Sequence, residues 1–319
     1  MGGVSQRDVR MALTDVGMAG DERIGAAIAE HGADGALRVW QDDPAMATVA
    51  KRATAALARL MDIQQRAQAC GAQFIAPGDP HWPDTLGDLD VQAPIGLWCR
   101  GDATLLRELA VAIVGARAAT PYGQRIAAQV AEYATDFGRV TVSGGAYGID
   151  AAAHRGALAA GGATVVVLAC GVDVAYPASN AALFTRAAQQ GALVSESAPG
   201  TPARKHLFLT RNRIIAALAQ DTVVVEAALR SGALNTANWA AALGRQVWGV
   251  PGSVTSPASA GVNRGIAEGT LTPMAQVADL GQSWPTAHPW QLAADGLGTA
   301  VLAALDSGAR SLDAIARSE

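Results

Sequence analysis

One stretch constrains this chain more than any other. Residues 111–154 read VAIVGARAATPYGQRIAAQVAEYATDFGRVTVSGGAYGIDAAAH. Two short β-branched runs, at 111–114 and 140–142, each end in glycine, and each glycine turn opens a segment with helical apolar spacing. Strand, glycine turn and helix, twice over, is how α/β folds build sites for phosphate-bearing ligands. Neither turn carries the G-x-G-x-x-G dinucleotide fingerprint, since the first reads GARAAT and the second SGGAYGID. The pattern predicts a Rossmann-like architecture with a ligand other than NAD.

The same alternation continues downstream. Strands are expected over residues 111–115, 140–143, 164–169, 193–196, 222–226 and 246–250, with helices over 123–137, 149–160, 179–189, 211–219 and 233–243. Runs such as TVVVLA and TVVVEA are apolar on both faces. Strands of that kind are buried on both sides, so the fold class is α/β with a doubly wound, mostly parallel sheet. Ligands in such sheets bind at the carboxyl ends of the strands. Two further strand-like pieces, 74–76 and 96–99, lie among proline- and aspartate-rich turns and suit an edge of the sheet.

Residues 1–68 are alanine-rich and read as short helices. Val9, Leu13 and Val16 recur at helical spacing, as do Ile24, Ile28, Leu37 and Trp40, and Ala53, Leu57, Leu60 and Met61 suggest a further stripe. The expected organisation is a small all-helical domain over 1–68, an extended Rossmann-like domain over 69–282, and over 283–319 a linker, a helix, a turn and the start of a second helix. Cys70, Cys99 and Cys170 show no C-x-x-C spacing and fit reduced thiols in a cytoplasmic protein. No apolar run approaches the roughly 20 residues needed to cross a membrane. The net charge of −4 weighs against a general nucleic-acid binder. Local clusters outweigh that total. Lys51 and Lys205 are the only lysines, so the positive charge is nearly all arginine, whose planar fork suits phosphates and stacks on bases.

Four groups of residues could carry chemistry. The turn of Ser143, Gly144 and Gly145, followed by Gly148, is a candidate anion nest of consecutive N–H groups. Arg117, directly beyond Gly115, is placed at the end of the first core strand. Residues 201–218 hold Arg204, Lys205, Phe208, Arg211, Asn212 and Arg213, and no acid occurs between Glu196 and Asp221. Cations with an aromatic among them suit a single strand of nucleic acid. Contacts from Arg204, Lys205, Arg211 and Arg213 to four phosphates would give a log–log salt slope of about −2.8. Ser231, Gly232 and Thr236 form the fourth group, again a strand–loop–helix. Asp150 and His154 could form an acid–base pair one helical turn apart, although Asp150 also suits a simple cap. No Ser-His-Asp constellation, metal-spaced cluster or Walker loop is present, so no catalytic residue, metal or cofactor is expected.

The motifs IVGAR, SGGAYGIDAAAH, CGVDVAYPASN, LVSESAPG, RNRIIAAL, VVVEAALRSGALNTANWAAALGR and VPGSVTSPASAGVNRGIAEG together resemble the DNA-processing protein A family (DprA/Smf) over residues 74–270. The helical N-terminus is similar to the family's sterile-alpha-motif-like domain, and the resemblance implies that residues 283–319 are a linker and the first helices of an incomplete winged-helix domain. The resemblance implies a non-enzymatic recombination mediator that binds and protects single-stranded DNA, pairs as a homodimer, and loads the RecA recombinase during natural transformation. It places Arg117, Lys205, the SGGAYG glycines and the RNR arginines in the DNA site, and offers Val262, Ile266 and Leu271 as dimer contacts. One departure is Ala178, where many members carry a lysine in the YP-x-x-N motif; weaker or differently distributed phosphate binding is expected there. The competing reading is a Rossmann-like nucleotide-binding or nucleotide-hydrolysing enzyme, because the 226–236 loop loosely resembles that of phosphoribohydrolases. Such an enzyme would need PGG-x-GT, and this loop reads RSGALNT.

Overall fold

The computed structural model describes residues 5–284. Four helices come first: α1 (Gln6–Val16), α2 (Glu22–Asp42), α3 (Ala47–Leu57) and α4 (Leu60–Cys70). Ser5 and Asp8 close a capping box at the start of α1, satisfying N–H groups the helix itself leaves open. The expected apolar positions Val9, Leu13, Ile24, Leu37 and Trp40 are buried together. The third stripe is different. The chain breaks between α3 and α4, Met61 turns out to solvent at 71 % exposure, and Ile63 takes the buried place.

Nine strands form one sheet: β1 (Ala72–Ile75), β2 (Leu97–Gly101), β3 (Ala110–Val114), β4 (Val140–Ser143), β5 (Thr164–Val167), β6 (Ala192–Ser195), β7 (Asp221–Val224), β8 (Gln246–Gly249) and β9 (Thr272–Pro273). Their order is β1-β2-β6-β5-β4-β3-β7-β8-β9. The run from β6 to β9 is parallel throughout, and β1 and β2 are antiparallel additions on the β6 side. Every residue of β3 through β7 is buried, as continuous apolar strands require. The helices are α5 (Pro121–Asp136), α6 (Ile149–Ala159), α7 (Ala181–Gln190), α8 (Lys205–Leu218), α9 (Gly232–Ala242) and α10 (Ala260–Ala267).

Two of these helices differ from expectation. Helix α8 begins at Lys205, six residues earlier than its apolar pattern suggests, because Arg211 occupies a place in the buried stripe formed by Leu207, Ile214 and Leu218. Helix α10 lies in a glycine-rich segment that shows little helical propensity. It packs Val262 and Ile266 against Gly249 of β8, where a glycine is needed: an added Cβ would stand 2.9 Å from Val262. Val262 and Leu271 are therefore core residues at 0 % and 5 % exposure, with Ile266 packed beside them. This corrects the assignment of Val262 and Leu271 as dimer contacts, since the chain's own core consumes them, while Ile266 keeps a partly exposed side.

The first four helices join the sheet through a shared core. Met11, Ile63 and Ala67 pack with Phe74, Trp98 and Leu193, and Trp98 Nε1 donates to Thr14 Oγ1 at 2.9 Å in the buried interior. One compact unit extends to Val277, and a second begins at Ala278. The expected winged-helix start falls on residues 285–319, outside the described ones. Among the described residues, no helix is long and apolar enough to cross a membrane.

Candidate functional site

From β3 the chain runs to β6 on one side of the sheet, then returns to place β7 on the other side of β3. That reversal is a topological switch point, where the loops after two neighbouring strands diverge and leave a crevice. The loops are tied at its floor by Ala116 N–H donating to Glu226 O at 2.7 Å. Gly115 fits there because an added Cβ would press on Ile149 and on Glu226 O, at 2.5 and 2.9 Å. Above the floor opens a cavity of about 300 Å³.

Eight of the predicted residues line this cavity: Gly115 and Arg117 after β3, Phe208, Arg211 and Asn212 on α8, and Ser231, Gly232 and Thr236 at the start of α9. Helix α8 delivers its set by phase, since Phe208, Arg211, Asn212 and Ile215 follow the i, i+3, i+4, i+7 spacing of one helix face. Asn212 Nδ2 donates to Gly232 O and Asn235 Oδ1, both at 3.2 Å, and so locks α8 to α9. Ser231 caps α9. At the rim the Arg117 guanidinium lies 4.9 Å from the Phe208 ring centre, and the Tyr176 ring packs against Phe208 with centres 5.5 Å apart. A cation over an aromatic face, with both partly open to water, presents positive charge and a flat apolar surface together.

Arg211 reaches inward. Its Nη1 donates to Gly144 O at 2.7 Å and to Val167 O, while its Nε has no partner. Burial lowers its pKa to about 10, opposed by the negative charge of Asp150, so it stays charged at neutral pH. Burial raises the Asp150 carboxyl, and Arg211 works against that rise. Asp150 also accepts from Ala146 N–H at 3.3 Å.

Several predicted residues stand elsewhere. Ser143, Gly144, Gly145 and Gly148 do not line the cavity; they build the wall behind it. Ser143 Oγ donates to Ile113 O at 2.6 Å, Gly144 gives its carbonyl to Arg211, and Gly145 (φ +67) lies against Val166 and Phe184. Gly148 (φ +73) sits on the carbonyls of Ala116 and Arg117. Arg213 is a correction. It is 1 % exposed and grips Glu196 with Nη2 at 2.7 and 2.8 Å, while Nε donates to Gln92 O at 2.7 Å. Two residues on an α-helix are about 200° apart, so Arg211 and Arg213 must face opposite ways. Lys205 is exposed at the α8 start, outside the cavity itself.

The remaining polar groups near the crevice are committed. Glu226 accepts from Thr120 N–H at 2.9 Å and from Thr120 Oγ1, holding the start of α5. Asp173 accepts from Gly200 N–H at 2.8 Å. His154 is fully buried against Thr164 Oγ1 at 2.7 Å, and burial, with Arg211 and Arg155 nearby, lowers its pKa to about 3. It is a neutral packing group and does not pair with Asp150. Among the described residues, no three His, Cys, Asp or Glu side chains gather as a metal site. Sequence reasoning missed Tyr176 and Leu209, although the YP-x-x-N motif and the α8 spacing both pointed toward them.

An open, doubly wound sheet with a crevice at its switch point, rimmed by a cation and aromatic rings, places the chain among Rossmann-like α/β proteins. The family model for DNA recombination-mediator protein A matches residues 73–284, and the chain belongs to that family. A DNA processing protein DprA of Mycobacterium tuberculosis is 50 % identical over 203 residues, which cover 60 % of this chain and 52 % of that protein. The chain thus matches about half the length of this relative. DprA of Streptococcus pneumoniae is 39 % identical over 191 residues, 60 % of this chain and 67 % of that one. Its crystal structure superposes with a TM-score of 0.74 at 28 % identity, covering 89 % of this chain and 99 % of the other. DNA processing protein A from Helicobacter pylori, whose structure concerns its single-stranded DNA binding mode, gives a TM-score of 0.60 at 30 % identity, over 65 % and 94 % of the two chains.

Proposed function

We propose that the crevice binds single-stranded DNA and that the chain is a non-enzymatic recombination mediator, which protects the strand and hands it to a RecA-type recombinase. One observation carries the reading: Arg117 lies on Phe208, which also contacts Tyr176, over a cavity whose other walls supply Arg211 and Asn212. Guanidinium groups take the phosphates and rings take the bases, without selecting a sequence. Kinship with a protein known for its single-stranded DNA binding mode supports the same ligand. The absence of an acid in residues 197–220 favours a polyanion over a neutral metabolite. A homodimer, as the family resemblance implies, pairs through residues other than Val262 and Leu271.

The nucleotide-hydrolase alternative draws only on Asp150, whose carboxyl lines the cavity. Glu196, Glu226 and Asp173 are all engaged in holding the fold. The test is fluorescence anisotropy with a labelled oligo-dT against a duplex of equal length, together with an assay for turnover of nucleoside monophosphates. The expected outcome is preference for the single strand, weakened by Arg117→Ala, and no turnover. Turnover that disappears in Asp150→Asn would establish the enzyme instead. Recombinase hand-off is measured by adding the chain to strand precoated with single-strand-binding protein. RecA ATP hydrolysis should then start without its lag, and an unchanged lag contradicts that role.

A further inference from the structure

The chain has four tyrosines. Tyr133 packs on Phe137 within α5, with ring centres 4.6 Å apart. The other three are open to solvent, at 42 % for Tyr122, 50 % for Tyr147 and 46 % for Tyr176. They follow three strands that lie side by side, Tyr122 after β3, Tyr147 after β4 and Tyr176 after β5. All three therefore stand on the carboxyl edge of the sheet, the edge that holds the crevice.

The loops that carry them are joined. Asn180, the last residue of the YP-x-x-N motif, donates from Nδ2 to Gly145 O at 3.1 Å and Ala146 O at 3.4 Å, fastening the Tyr176 loop to the Tyr147 loop. Ile149 N–H donates to Ala116 O at 3.2 Å, and Gly148 lies against the Arg117 carbonyl. This fixes the Tyr147 loop to the Arg117 loop, which runs through the Thr120 cap into the first turn of α5 and Tyr122. Tyr122 Oη then donates to Pro251 O at 3.3 Å, beside a hollow of about 470 Å³ lined by Thr120, Glu226, Ser253 and Ser256. The rim is a continuous, hydrogen-bonded ledge with one exposed ring after each strand and Arg117 in the loop that leads to Tyr122.

We propose that Tyr176, Tyr147 and Tyr122 are successive base-stacking steps, which carry single-stranded DNA out of the crevice and across the sheet edge toward the hollow beside Pro251. The proposal rests on the single-strand reading of the crevice and extends its site beyond Phe208. Strands lie about 4.8 Å apart, so β5 to β3 spans roughly 10 Å, the reach of two or three nucleotides. Exposed tyrosines on a fastened ledge lose little conformational freedom on stacking, and every base offers a face to them.

The test compares a labelled oligo-dT with an abasic deoxyribose-phosphate strand of equal length, on wild type, Tyr147→Ala, Tyr122→Ala, and the Phe variants at both positions. Each alanine variant should lose on the order of tenfold in affinity for oligo-dT, the effect of one stacked base. Affinity for the abasic strand and the salt slope should not change, because no phosphate contact is removed. The phenylalanine variants should bind oligo-dT like the wild type. Alanine variants that stay within about twofold, while Arg117→Ala still weakens binding, would overturn the tyrosine ledge alone. Equal losses in the Phe and Ala variants would overturn it as well. A wild type that binds no oligo-dT at low salt removes both the ledge and the single-strand reading beneath it.

Discussion

The arginines of the helical module and those of the crevice rim live in opposite electrostatic settings. In the first, five of seven, Arg7, Arg23, Arg38, Arg59 and Arg66, each meet an aspartate, at distances from 2.6 to 3.5 Å, while Arg10 and Arg52 donate to backbone carbonyls. Arg117 at the crevice rim, Arg204 and Lys205 at the start of α8, and Arg230 in the loop just before α9 form no ion pair. The contrast teaches why a chain of net charge −4 still suits a polyanion. Several of its acids are paired with arginines of the helical module, while the cations near the crevice carry no such partner and leave their charge available to a polyanion. Helix α8 shows both fates two residues apart, with Arg213 neutralised in the interior by Glu196 and Arg211 turned toward the cavity.

The sharpest way to separate the two kinds of cation is to remove one of each. Arg213→Met leaves Glu196 buried and unpaired, which should cost about 3–5 kcal/mol of stability in urea unfolding. The double change Arg213→Met/Glu196→Leu should recover most of that loss, because an apolar pair of similar volume is tolerated. A single variant as stable as wild type would mean that the pair is not structural.

His154 gives the next effect, through pH. Its folded pKa, about 3, lies below the unfolded value of about 6.5. Below about pH 6.5 the unfolded chain binds a proton that the folded chain refuses, so the stability it contributes is complete above that pH. As pH falls toward 3, stability should drop by on the order of 1 kcal/mol per unit. His154→Gln should flatten this dependence in unfolding curves taken across that range, and an unchanged slope contradicts the assignment.

Smaller still are the effects of single rim and module cations on stability. Arg117→Ala should change it by less than about 0.5 kcal/mol while weakening DNA binding. Arg38→Ala breaks an exposed pair with Asp34 and should cost about 0.5 kcal/mol or less, with DNA binding unaltered. Binding lost equally in both variants would erase the distinction between module and rim.

How much of this was legible follows from where each side chain's signal lies. The parallel strands were legible because burial on both faces writes continuous β-branched runs such as those of β5 and β7. The cations and Phe208 were legible as a cluster, but their division was not. Separating Arg211 from Arg213 needs the phase of α8, and that phase was hidden because a long basic side chain fills an apolar position. Val262 and Leu271 were offered as dimer contacts by the family resemblance alone, and their core role stayed hidden because α10, which brings Val262 onto β8, was not foreseen. The SGGAYG glycines read as an anion nest because a close approach to glycine backbone looks the same in sequence whether the approaching group is a phosphate or the protein itself. The approaching groups, however, are Arg211, Phe184 and the Arg117 loop, all distant in sequence.

The central claim, that the unpaired rim cations hold a phosphate backbone, is tested most directly by the salt dependence of oligo-dT binding. Four phosphate contacts, from Arg117, Arg204, Lys205 and Arg230, predict a log–log slope of about −2.8, and Arg117→Ala/Lys205→Ala should reduce it to about −1.4. The control Arg38→Ala/Arg59→Ala, whose cations are already paired, should keep the wild-type slope. A slope that does not move in the rim variant, or that falls equally in the control, would contradict the account.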